Sequence, residues 1–288
     1  MSKTSTDPTT PSHRFALNGP TMGSRWSAVF FADAGFDSAG LATRLPVGAW
    51  IEVPEDLFGV LGAALEIGRL SEGAFDVGVG DLVRAWGFGG GTRTPDGRAI
   101  AAIAGRPSFE PPKTLILDPS GRRVRKLAPL RIDLSGIAKG FGVDELAREA
   151  ERSGLSSFLV GIDGELRAAG TKPDGAAWAV GQERPDGAGR DLLGLIELRD
   201  ASVATSGNYR HVVEVGGRTL SHTMDPRTGA PLDNDLAAVT VTAPTCMAAD
   251  AWATALMVRG RREGLALAER LGISAIFVGT DGRVATTM

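Results

Sequence analysis

The stretch that most constrains this fold is CMAADAWATALMVRG, residues 246–260. Behind Thr245, a threonine suited to an N-cap, only Asp250 and Thr254 are polar before Arg259. A helix that is apolar around its circumference belongs inside a core. Asp250 and Thr254 stand four residues apart and so share one face, a turn from each other. An ionised carboxylate in such surroundings is costly unless it is paired, hydrogen-bonded or metal-bound. A carboxylate with a hydroxyl or carbonyl suits Mg2+ or Ca2+ rather than zinc. Two accounts stay open at this point. Asp250 and Thr254 hold a metal, or Asp250 accepts bonds from nearby backbone while Thr254 faces the core.

Around this helix the pattern is mixed. SRWSAVFFA, KTLILD, RRVRKL, LRIDL, SSFLVGIDGELRAAG, GAAWAVGQERP, LGLIELRDASVATSG, HVVEVGGRTLSHTM and LAAVTVTAP carry strand-like alternation or short apolar runs between turns. A helix is expected over PEDLFGVLGAALEIGRLSEG, with Pro54 near its start and Gly73 past its end. Another is expected over SGIAKGFGVDELAREAERSG, capped near Ser135 and stopped at Gly154. The apolar helix is followed by a second at REGLALAERLG and a last strand, SAIFVG. Strands in hairpin-like runs separated by a few helices predict an α+β fold with largely antiparallel or mixed sheets and packed helices. The expected organisation is a disordered Ser-, Thr- and Pro-rich tail over residues 1–14 and a single domain over 15–288.

Several function classes fall away. A net charge of -3 gives no electrostatic footprint for nucleic acid or an anionic membrane. No run reaches about 18 apolar residues and the N-terminus shows no apolar signal region, so neither membrane insertion nor export is expected and the reading is cytoplasmic. The lone Cys246 excludes an internal disulfide framework and reads as a buried structural thiol. Glycine, 39 of 288 residues, points to many turns and to backbone approaching a ligand closely.

Two further constellations are chemically suggestive. In RIDLSGIAKG, Asp133, Ser135 and Lys139 stand where a strand would give way to a helix, a natural place for phosphate and its metal. The plainer account is a capping aspartate beside an exposed lysine. The segment ATSGNYRHVVEVGGRTLSHTMDPRTGAPL gathers Ser206, Tyr209, Arg210, His222, Asp225 and Arg227 around two turns. His222 is one of only three histidines, and its plainer role is a structural hydrogen bond with Asp225. WGFGGGTR is glycine-rich but lacks phosphate-loop spacing. No serine-hydrolase or zinc-protease pattern occurs.

PTMGSRW, GAFDVGVGDLVRAWGFG, IDLSGIAKGFGVDELA, FLVGIDGELRAAG, ATSGNYR, SHTMDPRTGAPL and ADAWATAL follow one another in an order that resembles the ApbE family, the FAD:protein FMN transferases. The resemblance spans roughly residues 19 to 278. It implies that FAD is bound with Mg2+ and that a threonine or serine hydroxyl of an acceptor protein attacks the phosphate nearest riboflavin. FMN is joined through a phosphoester and AMP leaves. It makes Asp250 and Thr254 metal ligands, completed by the carbonyl of Gly136. Met22, Ala74, Phe75, Asp76, Asp133, Lys139, Arg210 and Met224 become FAD-cleft residues, and His222 the group that deprotonates the acceptor, with Asp225 an alternative. The partner it implies is a protein with a segment resembling Asp-Gly-x-Ser/Thr-Gly-Ala-Thr, which this chain itself lacks.

The chain also departs from the family. ADAGFDSAGLATRLPVGAWI is shorter than the family's usual helix and nucleotide-enclosing loop, and Asp163 replaces a usual glycine. Two rival activities follow from a more open cleft. One is a pyrophosphatase that splits FAD to FMN and AMP with water, and the other a flavin-binding protein without transfer.

Overall fold

This computed structural model describes residues 13–21, 24–32, 46–88, 94–103, 114–185, 191–208, 212–215 and 218–287. Strands β1 (His13–Thr21) and β2 (Ser24–Ala32) form an antiparallel hairpin. The tail expected over 1–14 therefore lies outside the described residues up to residue 12, and His13 and Arg14 open β1. After β3 (Ile51–Glu52) comes α1 (Glu55–Leu70), with Glu55 and Asp56 in its first turn and Arg69 in its last, complementing the helix dipole. A 3-10 turn at Val77–Val79 leads into α2 (Gly80–Ala85), and α3 (Gly97–Ile103) follows. Strands β4 (Leu115–Asp118) and β5 (Arg123–Lys126) join β3 in an antiparallel sheet ordered β3-β5-β4.

Next come α4 (Ala138–Arg152), β6 (Phe158–Ile162) and β7 (Glu165–Ala169). Three two-stranded antiparallel ribbons surround β10 (Ser202–Gly207): β8 (Trp178–Glu183) with β9 (Leu192–Leu198), β11 (Val212–Val215) with β12 (Arg218–Ser221), and β13 (Met224–Asp225) with β14 (Ala230–Pro231). The chain ends with β15 (Leu236–Ala243), α5 (Cys246–Leu271), β16 (Ser274–Gly279) and β17 (Val284–Thr286). The main sheet runs β17-β16-β15-β10-β7-β6, antiparallel throughout, and the fold is α+β as expected.

Helix α5 explains its own composition. One side, through Ala249, Ala253, Leu256 and Met257, packs on Val239 and Val241 of β15 and Phe277 of β16. Another side, through Ala251 and Ala255, packs on Val60, Ala64 and Ile67 of α1 together with Phe75 and Ile137. With layers on two sides, nearly every position must be apolar, and alanines let the neighbours come close. Gly260, at φ 75, breaks the helix, so the two expected helices exist on either side of it.

Three expectations are corrected. LRIDL forms no strand: Asp133 N–H donates to Val77 O (2.7 Å) and Gly80 N–H to Arg131 O (3.1 Å), so the segment bonds to the 3-10 turn rather than to a sheet. Helix α4 starts at Ala138 behind Ile137, not at a Ser135 cap, because Ser135 N–H turns back to Asp133 Oδ1 (2.8 Å). SAIFVG is not the last strand, since Val284–Thr286 adds an edge beside it. The expected stop holds, with Gly154 at φ 82 just past the end of α4. Among the described residues no helix is long and apolar enough to cross a membrane.

Candidate active site

Helices α4 and α5 cross at their N-terminal ends with no room between them. A Cβ on Gly140 would run into the carbonyl of Cys246, so only glycine allows this approach. Each helix then supplies the other's cap. Asp144 of α4 accepts N–H bonds from Cys246 and Met247, both 2.9 Å, at the start of α5. Asp250 of α5 accepts the N–H of Gly140 on Oδ2 at 2.9 Å, satisfying a first-turn donor of α4 that Ser135 does not reach. Thr245 adds the local cap, accepting from Ala248 N–H at 3.2 Å.

This crossing forms one wall of a cleft of about 760 Å3. Thr254, a turn after Asp250, places Oγ1 3.0 Å from Ser206 Oγ of β10. Gly136 lies against the same hydroxyl, since a Cβ there would be 3.1 Å from Thr254 Oγ1 and 3.2 Å from Phe75. Asp250, Thr254 and Gly136 therefore converge on one corner of the cleft. Asp250 accepts a backbone bond, as the plainer account expects, and it also lines the cleft. The corner offers a carboxylate and a hydroxyl, both hard oxygen donors, beside the backbone of Gly136. Among the described residues no group of three or more His, Cys, Asp or Glu side chains is arranged to hold a metal, so a cation here would rest on one carboxylate plus neutral oxygens.

The electrostatics of this wall are dominated by burial. Asp250 is 4% exposed, and burial pushes its carboxyl upward, opposed by Lys139 and the Gly140 N–H. Lys139, in the first turn of α4, forms an ion pair with Glu165 at the start of β7. Burial pulls the Lys139 ammonium down, but Asp250 and Glu165 outweigh it and leave the group raised. Burial lifts Glu165 to about 7 even against Lys139, with Asp250 adding to the rise. Asp76, buried at the entry to the 3-10 turn, is lifted by desolvation to about 8 although Gly78 N–H donates to it at 2.6 Å.

The other predicted residues divide clearly. Ala74, Phe75, Asp76, Asp133 and Lys139 line the cleft together with Asp250, Thr254 and Gly136, and His222 and Met224 line it as well. Asp225 does not line it. Its Oδ1 accepts from Arg227 N–H (2.9 Å) and Nε (3.0 Å), and its Oδ2 from Nη2 (3.0 Å), so both oxygens serve a local turn. Asp225 thereby braces the turn that follows His222. Met22 and Arg210 lie outside the described residues.

Sequence reasoning missed Glu165 and a polar chain beside the cleft. Gln182 Nε2 donates to Thr240 Oγ1 (2.9 Å), which lies 2.8 Å from Thr205 Oγ1. Gln182 and Thr205 line the cleft from β8 and β10. Glu165 follows the tight turn at Asp163 and Gly164, both at positive φ (53° and 106°), and nothing in its spacing separates it from a solvent-facing acid. The Asp163 that departs from the family pattern lines the cleft. Aspartate tolerates the left-handed region better than most residues, so the turn survives the change.

The ApbE family model matches residues 40–277. The FAD:protein FMN transferase of Klebsiella pneumoniae is 34% identical over 235 residues, which is 80% of this chain and 67% of that protein. That of Vibrio cholerae is 33% identical over 296 residues, covering 93% of this chain and 88% of that one. Among solved structures, the flavin transferase ApbE from Vibrio cholerae aligns with a TM-score of 0.75 at 32% identity, covering 96% of this chain and 97% of that one. The apo form of the Pseudomonas stutzeri flavinyl transferase ApbE aligns at 0.74 and 34% identity, covering 96% and 95%.

Proposed function

The chain belongs to the ApbE family, and from that premise we infer that it is an FAD:protein FMN transferase. The observation that carries the reading is that Asp250, Thr254, Gly136, Lys139 and His222 line one cleft. Such a site joins a place for a polyphosphate and its cation to a group able to take a proton.

In this reading Asp250, Thr254 and the Gly136 carbonyl hold Mg2+, and the hard oxygen set fits that ion. Bound there, Mg2+ supplies neutralisation of pyrophosphate charge. Lys139 adds a fixed positive charge on the same wall. Ala74, Phe75 and Met224 give the cleft apolar surface for the ring system. His222 takes the proton of the acceptor's threonine or serine hydroxyl. The bond that forms joins that oxygen to the phosphorus nearest riboflavin. The bond that breaks joins the same phosphorus to the bridging oxygen, which leaves with AMP.

The test mixes the protein, FAD and Mg2+ with an acceptor domain bearing the Asp-Gly-x-Ser/Thr-Gly-Ala-Thr segment and measures the acceptor's intact mass. A gain of one FMN less water, lost with chelator, is the expected result. AMP release with unmodified acceptor would mean a pyrophosphatase, and bound, uncleaved FAD a flavin-binding protein.

A further inference from the structure

We propose that Glu165 is a positioning residue for the cation corner: by pairing with Lys139 it keeps that ammonium off Asp250, leaving the carboxylate open to a metal. The inference rests on the reading of Asp250, Thr254 and Gly136 as a cation site.

Three observations carry it. Lys139 is one residue from Gly140, whose N–H is bonded to Asp250, so its side chain starts beside the proposed ligand. The ammonium interacts electrostatically with both Asp250 and Glu165, two buried acids sharing a single nearby cation. Yet the direct contact it makes is with Glu165 Oε1, at the start of β7. Glu165 is 2% exposed and its second oxygen has no hydrogen-bond partner among the described residues. A carboxylate buried this deeply, half satisfied, is a poor stabiliser of the fold. Its placement makes sense as an anchor that fixes where the lysine points. Without that anchor, Asp250 is the remaining buried acid that the ammonium interacts with, beside the exposed Asp163, and an ammonium there would compete with a divalent ion for the same oxygen.

A double-mutant cycle on the full chain separates this from simple loss of negative charge. Mn2+ alone, without nucleotide, is titrated by electron paramagnetic resonance into wild type, E165Q, K139M and E165Q/K139M, and thermal midpoints check that each variant is folded. E165Q should weaken Mn2+ binding by about five- to tenfold. Removing Lys139 should then help far more in the E165Q background than in wild type, returning the double variant to wild-type affinity or tighter. Additive effects, with K139M helping equally in both backgrounds, would overturn the proposal, as would unchanged affinity in E165Q. If E165Q does not fold, the same cycle run with E165D at that position reads the coupling. Wild type that binds no Mn2+ would instead remove the cation corner itself and this inference with it.

Discussion

The helical wall of the cleft is held by caps exchanged between two distant helices, whereas the loop carrying His222 combines bonds within a few residues with longer ties, Trp86 Nε1–H to Gly229 O (3.1 Å) and Arg227 Nη2 to Val258 O (3.3 Å). Gly140 to Asp250 and Asp144 to Cys246 each join residues more than 100 positions apart, and Arg259 near the end of the buried half of α5 donates to Ser71 O (2.7 Å) just past α1. In the histidine loop, Thr223 N–H donates to Ser221 Oγ (3.0 Å), Leu232 N–H to Thr223 O (2.7 Å), and Asp225 takes Arg227. The difference matters for function. A metal ligand is useful only when fixed against the field of the rest of the site, and long-range packing supplies that rigidity. In the proposed reading His222 must meet a second protein, and a loop built largely of short-range turns can present it beside the core.

This contrast sets the order of expected effects. Asp250→Asn keeps an acceptor for Gly140 N–H and removes the charge that the cation needs. Transfer should fall by about 10^3, roughly 4 kcal/mol of barrier, with the melting temperature held or raised. A variant that still transfers FMN at the wild-type rate would separate Asp250 from the chemistry. Gly140→Ala attacks the crossing itself and should cost about 3 kcal/mol of stability in denaturant unfolding. If the protein tolerates it, the helices are not locked as described.

In the histidine loop, His222→Ala should lower the rate by about 10^2 with little change in FAD affinity, read by flavin fluorescence titration. A loss of affinity alone would make His222 a binding residue. Asp225→Asn should cost only about 1 kcal/mol, because the Arg227 pair is partly exposed and local. A loss as large as that of Gly140→Ala would erase the distinction between the two regions.

A further effect is a slope with pH. Burial raises Asp76 from an ordinary 3.8 to about 8 and Glu165 from 4.5 to about 7. Folding therefore favours their protonated forms, and stability is fully present below pH 4 and declines as pH rises towards 8. Melting temperatures of the nucleotide-free protein should fall by a few degrees across that window, apart from other titrations. Replacing Asp76 with Asn should flatten the slope, and an unaltered slope would show that Asp76 is ionised without cost.

Much of this molecule was legible in its residues. The apolar period of 246–258 announced a buried helix, the N-cap at Thr245 its start, and the motif order its family. Gly154 marked the end of α4 because a positive φ is a local demand that glycine meets. LRIDL misled because an alternating pattern says that a segment is extended, not which backbone will take its hydrogen bonds. Ser135 misled because a cap can come from another helix, as Asp250 shows. Asp225 stands three residues from His222 and two from Arg227, and only the folded chain shows that Arg227 engages both of its oxygens.

By itself the sequence determined most of the elements and the fold class, since helical period, capping and turn preference act within a few residues. Tertiary structure alone decided which acid caps which helix, that Lys139 answers to Glu165 across 26 positions, and that Asp250 is at once cap and cleft wall across 110. Those pairings are set by the burial of charge. Burial is a property of the packed whole, and no window along the chain contains it.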